Sequence, residues 1–195
     1  VTKTYDGQPA TTAGATVTGL IGSDTVSYTV AFGVDDITSA QETEGAIVAS
    51  GAELQGNYTV SYAAGKLTIT KKSIIDPGTD PDPDNPPAID ASSFTVSGPE
   101  DTVYNGASQT QPVTIVDKAT GSALVEGTDY VLAYSDDTVN VGTVTVTITG
   151  MGSYTGTAAE TYEITPAAVT VTANDVTKTY DGQPAETAGA TVEGT

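Results

Sequence analysis

Apolar residues recur at every second position through long stretches of this chain, and that alternation predicts β-strands half-buried on one face. Val26, Tyr28, Val30 and Phe32 alternate with Ser27, Thr29 and Ala31, and just before them Val17 and Leu20 stand among Thr16, Thr18 and Gly19. Tyr58, Val60 and Tyr62 share one face, Ala63, Ala64 and Gly65 turn the chain, and Leu67 and Ile69 share the next inward face. That pattern predicts a hairpin closing a domain, ended by Lys71 and Lys72. Further on, Val113 with Ile115, Tyr130 with Leu132 and Tyr134, and Val144 with Val146 and Ile148 each mark a strand, and Tyr162 with Ile164 closes the series. Val169, Val171 and Ala173 begin another. Two stretches break the rhythm. Residues 35–44 are acidic and patternless, a solvated loop or a short helix, and the GAIVASGAEL that follows supplies one short strand or a helical turn.

A repeat organises these elements. Val1 to Gly19 (VTKTYDGQPATTAGATVTG) returns as Val176 to Gly194 (VTKTYDGQPAETAGATVEG), the copies beginning 175 residues apart and differing only where Thr11 becomes Glu186 and Thr18 becomes Glu193. Near-identity at a fixed period is the signature of an array. The stretch IDPGTDPDPDNPPAI, with five Pro among its acids, divides the array. Proline fixes φ and removes backbone donors, so this segment reads as an extended acidic linker reaching on the order of 40 Å. The resulting parts are a β domain at 1–73, the linker at 74–90, a second β domain at 91–165 and the opening of a further repeat at 166–195.

Composition narrows the chemistry. Six Lys, no Arg and 25 acidic residues give a formal charge of −19, which opposes nucleic acid and anionic membrane surfaces. No run approaches the roughly 18 apolar residues that cross a bilayer as a helix. With no His, Cys, Arg or Trp, the chain lacks the usual general base, thiolate and guanidinium clamp. The adjacent pairs Asp35–Asp36 and Asp136–Asp137 are the nearest thing to paired carboxylates, yet neighbours on a strand face opposite ways and in loops are solvated. Asp80, Asp82 and Asp84 imitate the start of a calcium loop, but Pro81 and Pro83 hold the chain extended, Asn85 replaces the turn glycine and Ala91 stands where the bidentate Glu belongs. Cofactors are therefore expected to be none, with weak calcium binding elsewhere on the acidic surface left open. Ten Tyr against two Phe invite a sugar-stacking reading; their inward strand phase favours packing with the hydroxyl on a backbone partner.

The opening ITPAAVTVTANDVTKTYDGQPA and the close GNYTVSYAAGKLTITK resemble the MBG-type and YDG-type repeats of bacterial surface proteins, over Val1 to Lys72 and Ile164 to Thr195. The block between, with VYNG, EGTDYVLAYSDDTVNVGTVTVTITG and GSYTGT, is similar to a second repeat type found beside them in large Gram-positive adhesins. This resemblance implies an extracellular, cell-wall-attached protein in which such modules build a stalk bearing an adhesive tip. Exported domains of that kind sometimes carry Lys-to-Asn or Lys-to-Asp isopeptide bonds, and Lys3 with Asn57 and Glu53 are the candidates here.

The expectation is thus an all-β chain of tandem Ig-like sandwiches in an elongated array, with a β-grasp arrangement as the alternative for the MBG-type domain. It is expected to be no enzyme but a stalk repeat, with an adhesive module binding mucin or host glycans as the rival. Partners are neighbouring repeats. Because the strand at Val169, Val171 and Ala173 precedes VTKTYDG in the later copy and nothing precedes it in the first, the first domain is expected to accept such a strand by head-to-tail strand addition.

Overall fold

The computed structural model describes residues 1–12, 14–76, 78 and 86–194. Asp80, Asp82 and Asp84, and with them the middle of the proline-rich segment, lie outside the described residues. The described chain is all β, without a helix. Its strands are β1 (Thr2–Thr4), β2 (Thr29–Phe32), β3 (Gln41–Ser50), β4 (Leu54–Gln55), β5 (Tyr58–Thr59), β6 (Gly65–Thr70), β7 (Lys72–Ser73), β8 (Phe94–Ser97) and β9 (Thr102–Val103). There follow β10 (Thr114–Asp117), β11 (Ser122–Ala123), β12 (Tyr130–Tyr134), β13 (Gly142–Gly150), β14 (Tyr154–Thr155), β15 (Thr157–Thr165), β16 (Val169–Ala173) and β17 (Ala190–Gly194). Two compact units divide them. The first holds Val1–Gly98, Val113–Ala133 and Val146–Glu160, the second Pro99–Pro112, Tyr134–Thr145 and Thr161–Thr195.

In the first unit one sheet has the order β1-β6-β3-β2. The alternation of GKLTIT turns Leu67 and Ile69 inward, where they are almost fully buried with Ala10 and Ala46 beneath Tyr5, Phe32, Val34 and Ile37. Strand β6 therefore takes the interior of the sheet, parallel to β1 (Lys3 opposite Ile69) and antiparallel to β3 (Gln41 opposite Ile69). Two expectations fail here. Tyr58 and Thr59 do not form a hairpin with the Leu67 strand but pair with Leu54 and Gln55, because the Tyr58 hydroxyl is drawn to Asp24 Oδ2 at 2.6 Å and that of Tyr62 to the Ala52 carbonyl at 3.0 Å. The acidic stretch is neither wholly loop nor helix: its last residues, from Gln41, start the ten-residue strand β3, which runs on through GAIVAS. The register of β3 against β6 shifts between Thr43 and Ile47, and Gly45 at φ +72° makes the bulge. The extra residue puts Ala46 and Ile47 consecutively in the core. That double burial is what hid the strand from a period-two reading.

The rest of the first unit is built on β8, β10, β11 and the neighbouring parts of β12 to β15. Strands β8 and β11 flank β10 in an antiparallel sheet. Phe94, Val113, Ile115, Leu124, Tyr130, Val146, Ile148, Tyr154 and Ala158 are buried, as the alternation requires. The chain passes into this block at β7, which pairs parallel with β14: Lys72 N–H donates to the Ser153 carbonyl at 2.9 Å and Ile74 N–H to that of Thr155 at 2.8 Å. Ile74, Ile75 and Ile89, at the two ends of the proline-rich segment, are all buried. The Asp90 amide donates to the Ile74 carbonyl at 2.9 Å, so the ends of that segment meet. The expected role of an extended spacer does not fit those ends. Buried isoleucines at both ends and the Asp90–Ile74 hydrogen bond hold those ends together.

The second unit contains β9, parallel to the end of β15 (Ile164 opposite Thr102), and the buried residues Val144, Tyr162 and Ile164. Its hairpin of β16 and β17 pairs Val169 with Gly194, Val171 with Val192 and Ala173 with Ala190. All ten hairpin residues are exposed.

Candidate functional site

The two copies of the repeat build the same turn. In the first, Lys3 Nζ donates to Asp6 Oδ1 at 2.5 Å and to the Gln8 carbonyl at 2.8 Å, while the Gln8 amide donates to Asp6 Oδ1 at 2.9 Å. In the second, Lys178 Nζ lies 2.7 Å from Asp181 Oδ1 and the Gln183 amide donates to the same oxygen at 3.0 Å. The glycines between them stand at φ +72° (Gly7) and +81° (Gly182), which a side chain resists. Lysine and turn amide hold both carboxyls below the ordinary carboxylate range. The ammonium of Lys3 is thus given to Asp6 and Gln8. Of the residues singled out as its covalent partners, Asn57 lies in the turn between β4 and β5, and Glu53 uses its carbonyl to accept from the Val60 amide at 2.7 Å.

The repeat's tyrosine has two fates. Tyr5 packs edge-on against Tyr154, ring centroids 5.3 Å apart, whereas its counterpart Tyr180 is 93% exposed. Tyr154 belongs to a buried cluster that the sequence did not announce. Asp117, fully buried, receives Lys72 Nζ on Oδ1 at 2.7 Å, the Ala119 amide on the same oxygen at 2.9 Å and the Tyr154 hydroxyl on Oδ2 at 3.2 Å. Lys72 Nζ also sits 4.8 Å from the centre of the Phe94 ring, and Phe94 meets Tyr154 edge-on at 6.1 Å. Burial first, then the charge of Asp117, pushes the Tyr154 phenol far above its usual range, so it stays a hydrogen-bond donor. The available signal was phase: Asp117 follows Val113 and Ile115 at two-residue steps and so points inward with them.

Asp36 and Asp137, one from each adjacent acidic pair, close local turns. Asp36 Oδ1 accepts from the amides of Thr38 and Ser39, and Asp137 Oδ1 from those of Val139 and Asn140, which keeps both carboxyls below the ordinary range. A general acid at neutral pH needs the opposite shift. Among the described residues no group of three or more acids or other ligating side chains is placed to hold a metal ion.

A groove of about 660 Å³ lies in the first unit. Its walls are the irregular segment 15–19, the inward residues Val26 and Val30 with Tyr28, Ile47 and Ala49 of β3, and the segment 58–65. The tyrosine hydroxyls around it are engaged: Tyr28 donates to the Ala15 carbonyl at 3.3 Å, and Tyr58 bonds both Asp24 and the Ile21 amide. Such a groove offers backbone and apolar surface, and no acidic or lysine side chain is among its lining residues. Comparison with protein-family models, with characterised proteins and with solved structures gives no match.

Proposed function

We propose that this chain is a structural repeat of a bacterial cell-surface adhesin or fibre, an Ig-like stalk segment that spaces an adhesive region from the cell wall. The observation that carries this reading is how the first copy of the repeat, the one with a block folded against it, uses its distinctive residues. Lys3 and Asp6 neutralise each other, Gly7 approaches Thr120 so closely that a Cβ would lie 2.4 Å from its methyl group, and Tyr5 packs on Tyr154. Each of these contacts joins the repeat to itself or to the block that follows it. A binding module would turn the same residues outward. The tandem recurrence, the acidic surface and the resemblance to MBG-type and YDG-type repeats support the same extracellular role.

The rival, an adhesive module for mucin glycans, draws on the bare Tyr180 ring and the tyrosines of the groove. Purified chain applied to immobilised mucin and a glycan array separates the two. The stalk reading expects no binding above an unrelated acidic protein; saturable binding lost in Tyr28→Ala or Tyr180→Ala would replace it with the adhesive one.

A further inference from the structure

The same five-residue sequence lies in two different settings. Ala190–Gly194 (ATVEG) forms β17 and pairs antiparallel with Val169–Ala173, whereas its counterpart at 15–19 (ATVTG) joins no ladder among the described residues and instead forms one wall of the groove. Carried across by the 175-residue offset, the register of β16 on β17 sets Val169 opposite Gly19, Val171 opposite Val17 and Ala173 opposite Ala15. We infer that the groove of the first unit is a strand-acceptor site whose occupant is the Val169–Ala173 strand of a second copy of this chain.

The chemistry on both sides fits. Residues directly opposite in an antiparallel pair share a face, so Val169, Val171 and Ala173 fall with Val17 on the apolar side, towards Val26, Val30 and Ile47. Thr170 and Thr172 then face outward beside Thr18 and Thr16, and the strand's backbone supplies the ladder partners that the 15–19 segment does not have among the described residues, the Ala15 carbonyl alone accepting from the Tyr28 hydroxyl. In its present place the strand gains little: Val169 is 60% exposed and Val171 and Val192 are each 65% exposed. An isolated two-stranded ribbon is marginal in water. Transfer into the groove keeps the ladder pattern and buries the valines. Because acceptor and donor are different surfaces, the contact is heterologous and propagates from copy to copy. This goes beyond the spacing role and does not depend on it, and a failure on the glycan array leaves it untouched.

Sedimentation velocity on the 195-residue chain and two variants tests it. Val17→Asp spoils the acceptor and Val171→Asp the donor; both side chains are exposed, and far-UV circular dichroism verifies folding. Wild type should form a concentration-dependent ladder of oligomers, and each variant alone should associate at least tenfold more weakly. An equimolar mixture of the two variants retains one competent donor and one competent acceptor, so it should stop at a dimer. A second measurement uses the absence of native cysteine: Val17→Cys mixed with Val171→Cys should give a disulfide-linked dimer under mild oxidation, and Thr16→Cys with Val171→Cys should not. Wild type that stays monomeric at millimolar concentration, a variant mixture that fails to dimerise, or cross-linking indifferent to register would each overturn the proposal.

Discussion

Removing the carboxylate of Asp117 should cost far more than removing a solvated surface acid, because it is fully buried and holds three partners. Asp117→Ala leaves the Lys72 ammonium, whose side chain is only 16% exposed, without its partner, and frees the Tyr154 hydroxyl and the Ala119 amide. Breaking one member out of a buried ion pair costs about 3–5 kcal/mol, because the remaining charge is stranded away from water. Lys72→Met strands the other charge, on a fully buried carboxylate, and belongs at the upper end of that range. Replacing both together, as Lys72→Met with Asp117→Leu, strands no charge and leaves a hydroxyl and an amide unpaired at about 1–3 kcal/mol each, a cost that Asp117→Ala carries as well. The double variant should therefore be more stable than Asp117→Ala, and its loss should fall well short of the sum of the two single losses, a strong departure from additivity. Urea unfolding followed by tyrosine fluorescence and circular dichroism measures this. With a slope near 2 kcal/mol/M, each single change lowers the midpoint by about 1.5–2.5 M. If the singles shift it by less than about 0.5 M, or if their effects simply add in the double variant, the cluster is solvated and the reasoning fails.

Gly7→Ala and Gly182→Ala change the same letter of the same turn, and each incurs roughly 1–2 kcal/mol for a side chain at positive φ. Only at Gly7 does the new Cβ meet Thr120, at 2.4 Å, so its cost should exceed that of Gly182→Ala by about 1–3 kcal/mol in paired melting curves. Equal costs would show that the two turns have the same surroundings. Asp90 accepts from the Ser92 hydroxyl at 2.6 Å and the Ser92 amide at 2.8 Å, and hydrogen bonds led by that hydroxyl bring its carboxyl down to about 2. Its folded value lies below the unfolded one, so its contribution is complete above about pH 4 and lost as pH falls through about 2. A carboxyl-carbon NMR titration should find that midpoint and a rise in Ser92→Ala; a midpoint near 4 in the parent would remove the hydrogen bonds from the account. At Gly45 a Cβ meets nothing within 4 Å, so Gly45→Ala should cost only the positive-φ strain, about 1–2 kcal/mol, and a larger loss would mean the bulge must move.

Strands β10, β12, β13 and the end of β15 were legible because alternate residues there turn to a buried face, and β16 stood out by its apolar and threonine alternation alone, since all its residues are exposed. Strand β3 was not. One bulged residue at Gly45 converts its alternation into two successive core positions and leaves its polar start looking like loop, although Lys66 ties that start down through ion pairs with Glu42 and Glu44. The partner of β6 was misassigned because adjacency in sequence favours a hairpin, whereas β6 buries Leu67 and Ile69 on one face while pairing laterally with β1 on one edge and β3 on the other. Local sequence cannot say whether ATVTG is strand or irregular, since the two copies differ by one residue and adopt both forms; the available partner strand decides. Proline content likewise fixed φ along the linker but carried no information on where its two ends go. At the buried cluster, the inward phase of Asp117 was readable, and the arrival of Lys72 beside it was not.

Load is what a stalk must bear, so stretching single molecules by their two ends tests the central claim most directly. Fully extended, the 195 residues reach about 64–70 nm at roughly 3.3–3.6 Å per residue. The account predicts that extension proceeds through discrete force peaks, the largest of them lowered in Asp117→Ala where Lys72 no longer ties the repeat to the block behind it. A chain that extends smoothly to full length, or whose peaks ignore Asp117→Ala, would contradict a stalk role built on that cluster.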